Sequence, residues 1–159
     1  MTEITETKVP KTTEPKKTSG KLALVLVRGV VNLSQPVKDT LTLLRLNRKN
    51  YCVVIENNPV NLGMIKKVKD FITWGEIDND TFKELVSKRG EEFQARLTDR
   101  KEKYSYKSLE IDGKKYKPYF RLNPPRKGFG RKGIKVAFKV GGGLGNRAEK
   151  INDLIRRML

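Results

Sequence analysis

The sequence predicts an α+β fold, a small sheet with helices on one face and a basic C-terminal extension that ends in a helix. From residue 21 onward, short apolar runs alternate with segments whose apolar residues recur at helical spacing. Hydrophobic residues make up 36% of the 159-residue chain and charged residues 33%, so a modest core carries a large polar surface. A chain of this length can form such a core without disulfide or metal links.

The core elements follow one another with short connections. Apolar runs bounded by turn residues predict three strands, at residues 22–27, 51–55 and 73–77. Segments with a helical apolar stripe predict three helices, at residues 34–46, 58–72 and 78–90. Ser34 and Pro36 mark the start of the first helix, and Gly90 marks the end of the third. The simplest arrangement is a ferredoxin-like βαβαβ core with the first two helices on one face, which leaves the other face available to another molecule or segment.

Three regions are expected along the chain. Residues 1–20 contain few apolar side chains and predict a flexible tail, residues 21–90 form the core with its third helix, and residues 91–159 form the extension. Within the extension, Asp112 and Gly113 predict a tight hairpin. The alternation over residues 134–138 predicts a strand with a basic outer face. Asn146 and Glu149 resemble a capping box for the last helix.

The charge indicates a polyanionic partner. The chain has 35 Lys and Arg against 18 Asp and Glu, a net charge of +17. Nucleic acid is the first candidate and an anionic membrane surface the second, although no apolar run approaches the roughly 20 residues that span a bilayer. Residues 121–145, here called the basic arm, are rich in Gly, Lys and Arg and contain no acid. We expect this arm to contact RNA, because glycine permits close approach to phosphates and Arg or Lys neutralises them.

Several enzyme classes are disfavoured. The chain has no histidine, which removes the commonest general base and any His-containing zinc site. Its one cysteine, Cys52, lies in an apolar strand and is better explained by packing in a reducing cytoplasm than by nucleophilic catalysis. The glycine-rich turn at residues 141–145 lacks the Gly-Lys-Ser/Thr ending of a phosphate-binding loop. Two alternatives stay open: an acylphosphatase-like enzyme using Arg28 and Asn32, and a freestanding nucleic-acid-binding factor.

Seven segments together resemble a known family. They are residues 24–29 (LVLVRG), 37–46, 61–65, 71–76 (FITWGE), 121–127 (RLNPPRK), 141–147 (GGGLGNR) and 151–158 (INDLIRRM). In this order and spacing they are similar to the large-subunit ribosomal proteins called L-thirty in bacteria and L-seven in eukaryotes, in the longer archaeal form. The resemblance implies a ferredoxin-like core with an extension, no catalysis and no cofactor.

The resemblance also implies partners and contact residues. The partners are large-subunit ribosomal RNA near the 5S RNA region and neighbouring ribosomal proteins, in the cytoplasmic ribosome and without a membrane or small-molecule substrate. The RNA-contact candidates that it supplies are Arg28, Lys38, Arg45, Arg48, Arg126, Lys127 and Arg147. The local positive charge adds six more, Lys49, Arg121, Arg131, Lys132, Lys135 and Lys139.

Overall fold

The computed structural model describes residues 20–111 and 113–159. Seven strands are present in these residues: β1 (Lys21–Leu26), β2 (Tyr51–Glu56), β3 (Ile72–Glu76), β4 (Leu109–Ile111), β5 (Lys114–Tyr116), β6 (Phe120–Arg121) and β7 (Gly145–Asn146). Four α-helices accompany them: α1 (Gln35–Leu43), α2 (Pro59–Val68), α3 (Asn79–Arg89) and α4 (Ile151–Met158). The predicted tail lies outside the described residues except for Gly20, and so does Asp112 of the predicted hairpin.

Five of the strands form one sheet in the order β6-β2-β1-β3-β7. The central strand β1 is antiparallel to both β2 and β3. The extension adds a short strand to each edge: β6 pairs antiparallel with β2, and β7 pairs parallel with β3. The predicted βαβαβ core is therefore confirmed, while β4 and β5 form a separate hairpin across Gly113.

The two faces of the sheet carry separate apolar clusters. Alternate residues of a strand point to opposite faces, so Leu22 and Leu24 pack with α1 and α2, whereas Ala23 and Val25 pack with α3 and α4. The face that the sequence left available is thus covered by the chain itself. Gly75 of β3 permits this covering, because a Cβ there would overlap the carbonyl oxygen of Ala148 just before α4.

Three local expectations were wrong. Residues 134–138 form no strand; the Phe138 amide donates to the Leu144 carbonyl (2.7 Å), and the segment folds back through a 3-10 turn at Phe138–Val140. Asn146 accepts from the amide of Ala148 (2.8 Å) instead of capping α4, which begins after a second 3-10 turn. Helix α1 ends at Leu43 and not near residue 46, since Arg45 has a left-handed φ of 59°.

Candidate nucleic-acid interface

One end of the five-stranded sheet collects positive charge. Strand β1 finishes there, β2 and β3 begin there, and the amide of Asn50 donates to the carbonyl of Leu26 (2.8 Å) across it. The basic residues next to these strand ends are Arg28, Arg48, Lys49, Lys69 and Arg121, here called the basic end. The sheet topology therefore brings together four of the predicted contact residues that are up to 93 positions apart in sequence (residues 28 to 121).

Arg28 is held in place at this end. Its Nη1 donates to the carbonyl oxygen of Asp70 (3.2 Å), and its guanidinium carbon lies 4.9 Å from the centre of the Phe71 ring. The amides of Val27 and Arg28 both donate to the carbonyl of Phe71 (3.0 and 3.1 Å). A guanidinium fixed in this way loses little conformational entropy when it binds a phosphate or stacks on a base.

The basic arm crosses the basic end. It leaves the sheet at Arg121, opposite Tyr51 at the start of β2, and rejoins it at Gly145, opposite Thr73 near the start of β3. Between these points it folds on itself: the Lys132 amide donates to the Gly141 carbonyl (3.1 Å), and the Gly142 amide to the Ala137 carbonyl (3.0 Å).

The cations of the arm face solvent. The six side chains are exposed, and none forms a salt bridge with another part of the chain that the structure describes; they are Arg126, Lys127, Arg131, Lys132, Lys135 and Lys139. No acid lies between Arg121 and Arg147 to compete for them. The arm therefore presents uncompensated positive charge next to that of the basic end.

Arg147 holds the arm together from inside. It is only 4% exposed; its Nε donates to Thr73 Oγ1 (2.9 Å), and its Nη2 to the carbonyls of Phe129 (2.6 Å) and Gly143 (3.2 Å). The guanidinium also lies 4.3 Å from the centre of the Phe138 ring. Burial lowers the pKa of Arg147 to about 10, so it still carries its charge at neutral pH. This position argues against the predicted RNA contact and for a structural role.

The remaining candidates are arranged differently. Arg121 Nε lies 3.2 Å from Glu91 Oε1, and Lys117 Nζ lies 2.7 Å from the other oxygen of that carboxylate. The hydrogen bond from Lys117 lowers the pKa of Glu91, which stays ionised beside Arg121. Arg45 lines a groove along the edge of β2, and Lys38 is exposed on α1. Arg121 is thus partly neutralised, and Arg45 stands apart from the basic end.

A cleft separates the basic end from the arm. Its cations are Arg28, Lys69 and Lys135, and its apolar walls include Trp74 and Leu144. Sequence reasoning missed Lys69 and Trp74. The signal for Lys69 was its position off the apolar stripe of α2, immediately before β3, but only the folded sheet shows that this position faces the arm.

A small α+β sheet with a basic end and an acid-free basic arm is typical of a nucleic-acid-binding protein. A family model described as "Ribosomal protein L30p/L7e" matches residues 22–72. The chain is also similar to proteins named large ribosomal subunit protein uL30 from three archaea. Identity is 46% with the protein from Methanococcus maripaludis, over 86% of this chain and 98% of the relative. It is 47% with the protein from Nanoarchaeum equitans, over 86% of this chain and 97% of the relative. For Methanopyrus kandleri the identity is 42%, over 84% of this chain and 100% of the relative. The chain therefore belongs to the uL30 family.

Family membership removes the enzyme alternative. The family consists of ribosomal structural proteins, so the alternative of an acylphosphatase-like enzyme that uses Arg28 and Asn32 was wrong. In the part of the chain that the structure describes, none of the helices is both long and apolar enough to cross a bilayer.

Proposed function

We propose that this protein is a structural constituent of the large ribosomal subunit and binds large-subunit ribosomal RNA through its basic end and basic arm. The relatives are named for that subunit. The observation that carries the proposed RNA contact is the set of six exposed arm cations without internal acidic partners, folded against the basic end.

The proposed mechanism is electrostatic and geometric. Lys and Arg side chains displace the counterions condensed on the RNA backbone, and the release of those ions drives association. The arm is attached to both edges of one sheet, so phosphates bound along it are held in a fixed relation to phosphates bound at the basic end. The protein thereby stabilises the relative positions of the RNA segments that it touches, in the translating ribosome.

The finer placement is part of the same proposal and follows from the family resemblance. We place the protein near the 5S RNA region, beside other large-subunit proteins, in the cytoplasmic ribosome. Hydroxyl-radical footprinting of reconstituted subunits with and without the protein tests this placement. Protection confined to RNA far from the 5S region would contradict it without affecting the RNA contact itself.

The RNA contact is tested by measuring the Kd of the full chain for large-subunit ribosomal RNA fragments at several salt concentrations. If about ten cations each neutralise one phosphate, log K should fall against log salt with a slope of roughly −7 to −9. Paired substitution of Lys132 and Lys139 by Gln should reduce the slope by about 1.4–1.8. The matched control is paired substitution of Lys83 and Lys88, two exposed lysines on α3, which should leave the slope unchanged.

Sedimentation distinguishes a ribosomal constituent from the alternative, a freestanding nucleic-acid-binding factor. Sucrose-gradient fractionation of lysate at moderate and high salt should find the protein with the large subunit in both conditions. Recovery only at the top of the gradient at both salt concentrations would overturn the proposed role.

A further inference from the structure

The cleft between the basic end and the basic arm has the size of a ligand site. Its volume is about 560 Å³, within the roughly 300–1,000 Å³ typical of small-molecule sites. Three cations line it, Arg28, Lys69 and Lys135, against one acid, Asp70. Arg28 donates to the backbone carbonyl of Asp70, which leaves the positive charge of its guanidinium without an ion pair in the described chain. The cleft therefore favours a ligand with negative charge.

The walls of the same cleft are apolar and partly aromatic. Phe71 and Trp74 line it from β3 and the turn before it, and Ala137 and Leu144 line it from the arm. Phe71 and Trp74 are both half-buried, so each has ring surface beyond what its own core cluster covers. A flat aromatic base would cover this apolar surface, whereas a phosphate alone would leave it exposed to water.

The cleft is built into the fold. Trp74 and Asn146 are register partners in the β3–β7 pairing, and Thr73 Oγ1 donates to the carbonyl of Gly145 (2.9 Å). The amide of Arg147 donates to the carbonyl of Trp74 (2.8 Å). Both walls are thus fixed by hydrogen bonds of the chain, and a ligand does not have to order them.

We propose that this cleft receives one unstacked nucleotide of the bound RNA, with its base against Trp74 and its phosphate between Arg28 and Lys135. The inference rests on the proposed function, since the nucleotide belongs to the RNA that the basic end and the arm bind. Proteins read single-stranded loops and bulges by stacking splayed bases on aromatic rings or guanidinium planes. A fully paired duplex keeps its bases stacked inside and presents none to such a cleft.

Trp74 makes the proposal directly measurable, because it is the one tryptophan of the chain. The full chain is titrated with a hairpin RNA that has one bulged nucleotide and with the same hairpin without the bulge. Trp74 emission reports on the cleft, and the anisotropy of the labelled RNA reports on total binding. We expect both RNAs to bind and the bulged hairpin alone to quench Trp74, with a Kd lower by between about 5-fold and 150-fold, the range for one stacked base.

A variant that fills the cleft gives the second arm of the test. Ala137→Phe places a ring in the cleft, and Val140→Phe places the same ring on the arm outside it, at a residue that is 57% exposed. Ala137→Phe should abolish the preference for the bulged hairpin, and Val140→Phe should keep it. Should Ala137→Phe disturb the arm, Lys135→Ala compared with Lys139→Ala repeats the test with exposed residues, since Lys135 lines the cleft and Lys139 does not.

The outcomes separate this inference from the proposed function. If both hairpins bind with equal Kd and without quenching of Trp74, and Ala137→Phe changes neither Kd, the proposed nucleotide site in the cleft is wrong. The proposed RNA contact is then unaffected. Equal quenching by both hairpins also overturns the nucleotide site, because an unpaired base would then not be needed. If neither these hairpins nor the ribosomal RNA fragments bind, the proposed RNA contact itself fails.

Discussion

Replacement of Arg147 by methionine should loosen the basic arm. Methionine has a similar length and can place its sulfur against the Phe138 ring where the guanidinium lies, but it removes every hydrogen bond from the guanidinium. The carbonyls of Phe129 and Gly143 then lose their charged donor, while Thr73 Oγ1 still donates to Gly145. The backbone bond from residue 147 to Trp74 does not depend on the side chain. The change therefore acts on the arm and leaves the β3–β7 pairing in place.

The size of the effect follows from two opposing terms. A hydrogen bond from a charged group contributes about 1.5–3 kcal/mol, and three such bonds are lost. Against this, burial lowers the pKa of Arg147 to about 10, which corresponds to a cost of about 3 kcal/mol for the buried charge that methionine avoids. The net destabilisation is about 1–6 kcal/mol, and it should appear chiefly as opening of residues 126–145.

Trypsin provides the assay, since the arm contains six Lys and Arg residues between positions 126 and 139. Arg147→Met should be cut in the arm faster than the wild type by about 5-fold or more, if opening precedes cleavage. Lys83→Met is the control, because it removes the same charge from an exposed site on α3 and leaves all six cleavage sites of the arm in place. The reasoning is refuted if both variants are cut at the wild-type rate and Arg147→Met only lowers the salt slope for RNA by about 0.9. Arg147 would then be a direct phosphate contact, as the sequence alone suggested.

Two further predictions concern the core. Gly75→Ala should lower the free energy of unfolding by about 1–3 kcal/mol, because the new methyl group meets the carbonyl of Ala148 and the side chain of Ile151. The control is Gly63→Ala on α2, which has open space around it and should be neutral or stabilising. Urea denaturation compares the two variants with the wild type. Burial raises the pKa of the Cys52 thiol from 9.0 to about 12, so the unfolded chain releases its proton first and the stability contributed by Cys52 is lost as pH rises from about 9 to 12. Urea midpoints across this range should fall more steeply for the wild type than for Cys52→Ala, and parallel curves would contradict the assignment.

The local spacing of apolar residues was sufficient to predict the secondary structure of most of the core, but not that of the basic arm. Each strand and helix from β1 to α3 is predicted by the spacing of apolar residues within that element alone. Strands β6 and β7 are two residues each, and their partners in β2 and β3 lie about 70 residues away, so no local pattern marks them. Residues 134–138 alternate as a strand does, yet they form only a single bridge, between Ala137 and Leu144, and fold back through a 3-10 turn.

The candidate site divides in the same way. Residue type and local charge identify the exposed cations of the arm, because six lysines and arginines without an acid cannot all be buried. The role of Arg147 depends on which acceptors surround it, and these are the carbonyls of residues 129 and 143 and the hydroxyl of Thr73 on β3. The cleft is likewise a product of the β3–β7 pairing. From the sequence, a basic residue beside a glycine-rich turn can either contact RNA or stabilise the arm from inside. Only the three-dimensional arrangement distinguishes these two roles for Arg147.

The closure of the fold by α4 connects the stability of the protein to its proposed RNA contact. A net charge of +17 opposes compaction, and the basic arm adds to that repulsion. Four side chains of α4 are fully buried against the sheet, Ile151, Leu154, Ile155 and Met158, and each contributes about 1.5–3 kcal/mol by leaving water. The same helix fixes the arm, because the Asn123 amide donates to the Met158 carbonyl (3.0 Å) and the Arg126 amide to the Arg157 carbonyl (3.1 Å). The helix that offsets the repulsion is thus the same helix that holds the arm. A polyanion that binds there relieves the remaining repulsion, so RNA binding and the stability of the folded chain should increase together.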